Sequence, residues 1–256
     1  ITVEAGGDIT AAIASAEPGD IVELAAGDYE ATGSFFRGAG KDITIRAAGS
    51  GGGAGAPVSA VTVTFPASMD WNSTIQPGVA QLFENGTHVI QGIHFKVDVT
   101  GLSNVIGNGQ GITIFKKGGG PDTNVTVQDC IFEYVGTPTT YDVFNAHLVR
   151  FEGGGIGNII NCHFKWDTDS VTPGEFGSFE NNLGMGGDGA NYTIADCVFD
   201  SVPTTDGKFR SIGAVGGNAD IAVNNCLFRS DNNDQTNQQA WISMAAGNRY
   251  SVNFSD

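Results

Sequence analysis

The sequence predicts an all-β fold: a single-domain right-handed parallel β-helix, a solenoid over residues 1–256 with a short N-terminal capping helix. Three observations predict it. The stretch Asn124-Val-Thr-Val-Gln-Asp-Cys-Ile-Phe132 returns as Ile159-Ile-Asn-Cys-His-Phe164, Ile194-Ala-Asp-Cys-Val-Phe199 and Val223-Asn-Asn-Cys-Leu-Phe228, with an earlier relative in Ile90-Gln-Gly-Ile-His-Phe95. The turn residues fall at 92, 129, 161, 196 and 225, and self-similarity at a period of a few tens of residues marks a stacked-repeat architecture. Each copy alternates apolar and polar positions with β-branched or aromatic character, the period of strands. The 38 glycines and a charged content of only 16% suit strands and turns better than helices.

Stacking such units about 4.8 Å apart turns equivalent side chains into ladders. Phe95, Phe132, Phe164, Phe199 and Phe228 are expected to form an aromatic ladder, and Cys130, Cys162, Cys197 and Cys226 a thiol ladder. Asp129, Asn161, Asp196 and Asn225 are expected to line one turn, where their side chains can serve the bent backbone.

In chain order, residues 1–20 read as the cap and 21–256 as the coils. Asp8 suits the N-cap of a helix from Ile9 to about Ala16, with Ile9, Ile13 and Ala16 on one face and Pro18-Gly19 as its stop. Strands follow at Asp42–Ala47 and Val61–Phe65, separated by a glycine-rich loop at 48–57. Residues 66–80 and 100–110 read as excursions between coils. From 111 onward each coil carries a second strand ending at a glycine turn: Ile112–Phe115, Leu148–Phe151, Leu183–Met185, Ile212–Val215 and Ile242–Met244. Turns are expected at Gly118–Gly120, Gly153–Gly155, Gly186-Gly187, Gly216-Gly217 and Gly247, and longer polar loops at 136–146, 167–178, 201–208 and 230–239. The last strand, Tyr250–Phe254, has no amphipathic segment to cover it, so either the chain is cut short there or this end docks on copies of the protein, end to end or by strand addition.

The net charge of −16 argues against nucleic acid and anionic membranes as partners. No apolar run is long enough to span a membrane. Beginning at Ile1 rather than Met, the chain reads either as a processed form or as a piece cut for expression, and sequons at Asn72, Asn85, Asn124, Asn191 and Asn253 point to an extracellular or cell-surface location. The four cysteines share one repeat position with parallel side-chain directions, which favours free buried thiols over disulfides. No Cys or His spacing suits zinc, so no metal site and no cofactor is expected. Ca²⁺ is the one possible ion, through Asp167, Asp169, Asp188, Asp231 and Asp234.

The opening helix, then Gly19-Asp-Ile-Val-Glu-Leu-Ala-Ala-Gly-Asp-Tyr29, Asp42-Ile-Thr-Ile-Arg-Ala47 and Thr87-His-Val-Ile-Gln-Gly-Ile-His-Phe95, resembles the start of right-handed β-helices of the pectate-lyase-like superfamily. The likeness is to its alginate lyase and chondroitinase B branch and covers about residues 1–100. It implies the fold and, as a function, cleavage of a uronate polymer. Such lyases use a basic residue to abstract a proton beside a carboxylate and acids to hold Ca²⁺ against the substrate. The Asn-Gly-x-Glu, Lys-Ser and Arg-His-Gly elements of that branch do not occur in this chain.

The outward ladder of the glycine-ended strands is expected to be Thr113, Arg150, Gly184, Gly213 and Ser243, a flat face with one arginine. Arg150 with Glu152 is the catalytic candidate, with Lys165, Lys208 and Arg210 as neighbours; the plain alternative is a surface ion pair between Arg150 and Glu152. His94 and His163 read as ordinary outward strand residues, and His88 and His147 as scattered ones. Trp71, Trp166, Trp241 and Tyr141 are candidates for stacking on sugars. With so few cations, the leading expectation is a non-catalytic extracellular structural protein that self-assembles through its coil ends into a filament or surface layer. Polysaccharide lyase and carbohydrate-binding adhesive module, with an extracellular polysaccharide as partner, are the alternatives.

Overall fold

A computed structural model of the chain describes residues 1–31, 37–39, 41–50, 59–69, 79–98, 100–101, 113–136, 147–167, 183–185, 187–201, 210–214, 218–230, 240–243 and 249–253. All strand pairs within them are parallel, each strand pairing with its equivalent one coil away, and the fold is a parallel β-helix as predicted.

Three faces enclose one core. The first stacks Thr2–Val3, Ile21–Leu24, Ile43–Ala47, the later parts of Val79–Gln91 and Thr113–Gln128, then Gly155–Ile160, Ala190–Ala195, Asp220–Asn224 and Arg249–Asn253. The second is a separate seven-stranded sheet of Gly27–Glu30, Val61–Phe65, His94–Asp98, Ile131–Val135, His163–Asp167, Val198–Ser201 and Leu227–Ser230. The third holds Arg37–Ala39, the earlier parts of the same two long strands, His147–Phe151, Leu183–Met185, Arg210–Ala214 and Ala240–Ser243.

The tight corner between first and second faces follows from the repeat. Asp129, Asn161, Asp196 and Asn225 have φ of 56°, 50°, 57° and 49°, the left-handed region that short polar side chains tolerate and β-branched ones do not. Gly92 stands at the same corner with φ 71°. Side chains tie the corners together: Asn161 Nδ2 donates to Asp129 Oδ1 at 2.8 Å, and Asn225 Nδ2 to Asp196 Oδ1 at 2.6 Å. Carboxylate and amide alternate, so each amide donates to an acid in the preceding coil.

The expected ladders are present. Phe95, Phe132, Phe164, Phe199 and Phe228 align in register, and the last four are separated by centroid distances of 5.0, 4.9 and 4.9 Å with interplanar angles below 10°. The four cysteines are free, three of them buried. The helix runs Ile9–Ser15; Asp8 accepts from Ala11 N at 2.9 Å, and Ile9 and Ile13 are buried over the first coil. Among the described residues no helix is long and apolar enough to cross a membrane.

Three features differ from expectation. The segment around Gly118–Gly120 falls inside one strand, Thr113–Gln128, rather than between two, but its register against Val79–Gln91 shifts there: Gly118 pairs with Glu84 and Thr123 with Gly86, so the strand passes from the third face to the first at the expected glycines, where Asn85 and Gly86 bend in the partner. The register of the third face places Lys116, not Thr113, beside Arg150, while Thr113 stands beside His147. This three-residue difference changes which residues share the arginine's column. Arg37–Ala39 is an additional strand, where the sequence offered no alternating run.

Candidate functional site on the seven-stranded sheet

The phenylalanine ladder fixes the parity of the second face. With Phe95, Phe132, Phe164 and Phe199 inward, the residues just before and after each phenylalanine lie on the other face of the sheet, where Ile131 and Glu133 are nonetheless buried. After it come Lys96, Glu133, Lys165, Asp200 and Arg229 in one register column, a row of alternating charge. Before it come His94, Ile131, His163, Val198 and Leu227.

Each histidine reaches diagonally to the carboxylate one coil further on. His94 Nε2 meets Glu133 Oε2 at 2.8 Å, and His163 Nε2 meets Asp200 Oδ2 in a short contact. The two pairs are copies of one arrangement displaced by two coils, roughly 9.6 Å at the spacing of parallel strands. Asp200 is further gripped by Arg229, whose Nε donates to Oδ1 at 2.5 Å and Nη2 to Oδ2 at 2.8 Å.

The charge states follow from these partners. The His94 hydrogen bond outweighs burial and, with Lys96 and Lys165 nearby, holds Glu133 below the ordinary glutamate range. Burial pulls Asp200 upward, but the hydrogen bonds of Arg229 and His163 prevail and leave it below its ordinary value. Burial lowers His163, and the pull of Asp200 in the other direction does not offset it. A neutral imidazole beside an ionised carboxylate donates from Nε2, so Nδ1 of His163 carries the lone pair.

Arg150 lies elsewhere. On His147–Phe151 the side chains of Leu148, Val149, Arg150 and Phe151 are all buried, and Arg150 forms a short ion pair with Glu152. Its column on the third face is Lys116, Arg150, Gly184 and Gly213. Lys165 is not its neighbour but stands on the second face between Glu133 and Asp200. Arg210 stands three positions before Gly213, in register with Ala240, and Lys208 lies outside the described residues.

Of the sequons, Asn85 and Asn191 are exposed, while Asn124 is half-buried with its Oδ1 accepting from Ile156 N at 3.2 Å. Asn124 and Asn191 flank Ile156 in register, so they occupy one repeat position. Asn253 ends the strand Arg249–Asn253, and Asn72 lies outside the described residues. Of the calcium candidates, Asp188 is exposed and accepts from Asn218 N at 3.1 Å, and Asp167 ends the strand His163–Asp167; Asp169, Asp231 and Asp234 lie outside. Among the described residues no group of three or more His, Cys, Asp or Glu is arranged to hold a metal ion. Trp71, Trp241 and Tyr141 bring no described side chain to the site, and Trp166 is placed only by its register with Tyr134.

Sequence reasoning passed over Glu133, Asp200 and Arg229, and read His94 and His163 as ordinary. The signal was available as a spacing: one residue after each ladder phenylalanine stands a charged residue, and the sign alternates.

No protein-family profile matches the chain, and no curated protein matches it. Among solved structures, the pectin methylesterase from Aspergillus niger aligns with all of this chain and 86% of its own, at 11% identity and a TM-score of 0.43. The fold of this protein stands on its own strand register.

Proposed function

We propose that the protein is an extracellular carbohydrate-active β-helix that binds a uronate-bearing polysaccharide along the outer face of its seven-stranded sheet and cleaves it by β-elimination. The observation that carries this reading is the oriented imidazole of His163, with Nε2 on Asp200 and Asp200 held by Arg229. A neutral, carboxylate-oriented imidazole is the group a general base requires.

In the reaction His163 Nδ1 takes the proton on the carbon next to the uronate carboxyl. The electrons of that bond form the ring double bond, the adjacent carbon–oxygen bond to the next sugar breaks, and the departing oxygen takes up a proton. Lys165, in register beside Asp200, offsets the charge that gathers on the carboxylate. Lys96, Lys165 and Arg229 recur every second coil, close to the repeat of two sugar rings in an extended chain lying along the helix axis. They alternate in that row with Glu133 and Asp200, so cations stand at every second coil of a chain whose net charge is −16. The likeness of residues 1–100 to the alginate lyase and chondroitinase B branch points to the same reaction class.

Incubation with alginate, pectate and chondroitin sulfate, followed by the ultraviolet absorbance of unsaturated uronate, tests the reading. Product is expected from one of them, and His163→Gln is expected to slow its formation about 10²–10⁴-fold, the usual worth of a general base, with polymer binding retained. Binding without product would reduce the protein to a binding module; neither binding nor product would remove the reading.

A second reading, end-to-end assembly of a structural protein, has its own observation. Leu227–Ser230, Ala240–Ser243 and Arg249–Asn253 each pair with one strand only among the described residues. The far edge of such a strand is a template for whatever strand meets it, a further coil of the chain or a second copy. Light scattering over a concentration series checks it: mass that grows with concentration supports assembly, and a constant monomer mass ends it.

A further inference from the structure

The thiol ladder has no role in the chemistry above, yet its geometry is specific. Cys130, Cys162, Cys197 and Cys226 each follow a left-handed corner residue in consecutive coils. Backbone bonds lock the coils together at these positions: His163 N to Cys130 O at 2.9 Å, Val198 N to Cys162 O at 2.9 Å and Leu227 N to Cys197 O at 2.8 Å. Every thiol donates in the same direction, to the carbonyl two residues earlier at 3.2 or 3.3 Å, so all four side chains share one orientation.

Parallel side chains keep the sulfurs near the coil spacing of about 4.8 Å. A disulfide needs sulfurs about 2.05 Å apart and converging side-chain directions, so adjacent thiols in this ladder are poorly placed to oxidise to one another. Two metal–thiolate bonds of about 2.3 Å laid end to end span about 4.6 Å, close to the ladder spacing. Thiolates select soft ions, and linear two-sulfur coordination needs no third ligand, which suits a column offering only sulfur. Zinc, which takes four ligands in a tetrahedron, finds no such set among the described residues.

Access differs along the column. Ile93 occupies the equivalent place in the coil before Cys130 and closes that end, with Ile131 N bonded to Ile93 O at 3.0 Å. Cys130, Cys162 and Cys197 are buried, whereas Cys226 is only partly so. We infer that Cys197 and Cys226 form a binding site for a soft monovalent d¹⁰ cation of the Cu(I) class, held in a linear bridge between the two sulfurs. Binding replaces both S–H protons by two metal–sulfur bonds, releases two protons and leaves one negative charge on the bridge, with no change of oxidation state. That charge is least costly at the part-exposed end of the ladder.

The test uses the reduced full chain, titrated without oxygen with Ag(I) and with Cu(I) against a competing chelator. The readouts are metal content by native mass spectrometry, protection of thiols from alkylation and the shift in melting temperature. One ion per chain is expected, with release of two protons, protection of the part-exposed Cys226, and no competition from excess zinc. Cys226→Ser is expected to abolish uptake and Cys130→Ser to leave it unchanged, each variant being checked for native circular dichroism. If Cys226→Ser does not fold, the alkylation pattern of the native chain decides. Absence of stoichiometric uptake, uptake that survives Cys226→Ser, or alkylation of Cys226 at the same rate with and without the ion overturns the inference.

Discussion

Asn161 donates from Nδ2 to Asp129 Oδ1 across 2.8 Å, one coil apart, with both residues in the left-handed backbone region at φ 50° and 56°. One short side chain thus does two things: it tolerates the corner and bonds to the corner before it. Asn161→Ala loses both, at about 0.5–1.5 kcal/mol for the hydrogen bond and about 1–2 kcal/mol for the left-handed alanine. Asn161→Gly loses only the hydrogen bond. Urea unfolding is expected to rank the glycine variant above the alanine variant by about 1–2 kcal/mol; equal values would show that the backbone conformation contributes nothing.

Phe164 stacks between Phe132 and Phe199, with centroids at 5.0 and 4.9 Å. Both of its ladder neighbours and the ring itself are buried, so the column has little room to collapse into a void. Phe164→Ala is expected to cost about 3–5 kcal/mol and Phe164→Leu less than half of that, read from denaturation midpoints at unchanged m.

His88 is buried inside the coil, its Nε2 bonded to Asn85 O at 2.7 Å. Burial lowers its pKa below the ordinary value despite that bond. The unfolded chain takes up a proton near pH 6.5 and the folded chain only at lower pH, so over that window the unfolded state binds more protons. Stability is therefore full above about pH 6.5 and falls as pH drops below it. His163 is also lowered and adds a slope of the same sign. Glu133 and Asp200, held down in the fold, contribute stability above the ordinary carboxylate pKa that is lost at lower pH. Urea midpoints between pH 7.5 and 5 check this: His88→Leu is expected to flatten the slope, and an unchanged slope would count against it.

The Arg150–Glu152 pair is asymmetric, with side-chain exposures of 10% and 26%. Removing the acid strands a buried guanidinium, whereas replacing both removes the charge altogether. Glu152→Gln is expected to destabilise by about 3 kcal/mol, the low end for a buried pair because Glu152 keeps some solvent. The double variant Arg150→Met with Glu152→Leu is expected to recover most of that loss. A double-mutant cycle on thermal unfolding measures the difference.

What the sequence determined by itself is the repeat. A turn residue, a cysteine and a phenylalanine at fixed offsets define the corner, the thiol column and the aromatic column, because in a parallel stack equivalent positions must meet. The helix cap was legible for a similar local reason, since Asp8 and the spacing of Ile9 and Ile13 need no distant partner. What only the tertiary structure decided was register where the repeat is irregular, and the meeting of residues that no motif joins. Lys116 rather than Thr113 stands beside Arg150 because pairing with two neighbouring coils fixes the long strand Thr113–Gln128, not its local glycines. His163 meets Asp200, 37 residues later, because a diagonal across adjacent strands brings a long side chain within reach of the next coil. Burial, which sets the charge of that pair, depends on the coils above and below and so belongs to the assembled fold.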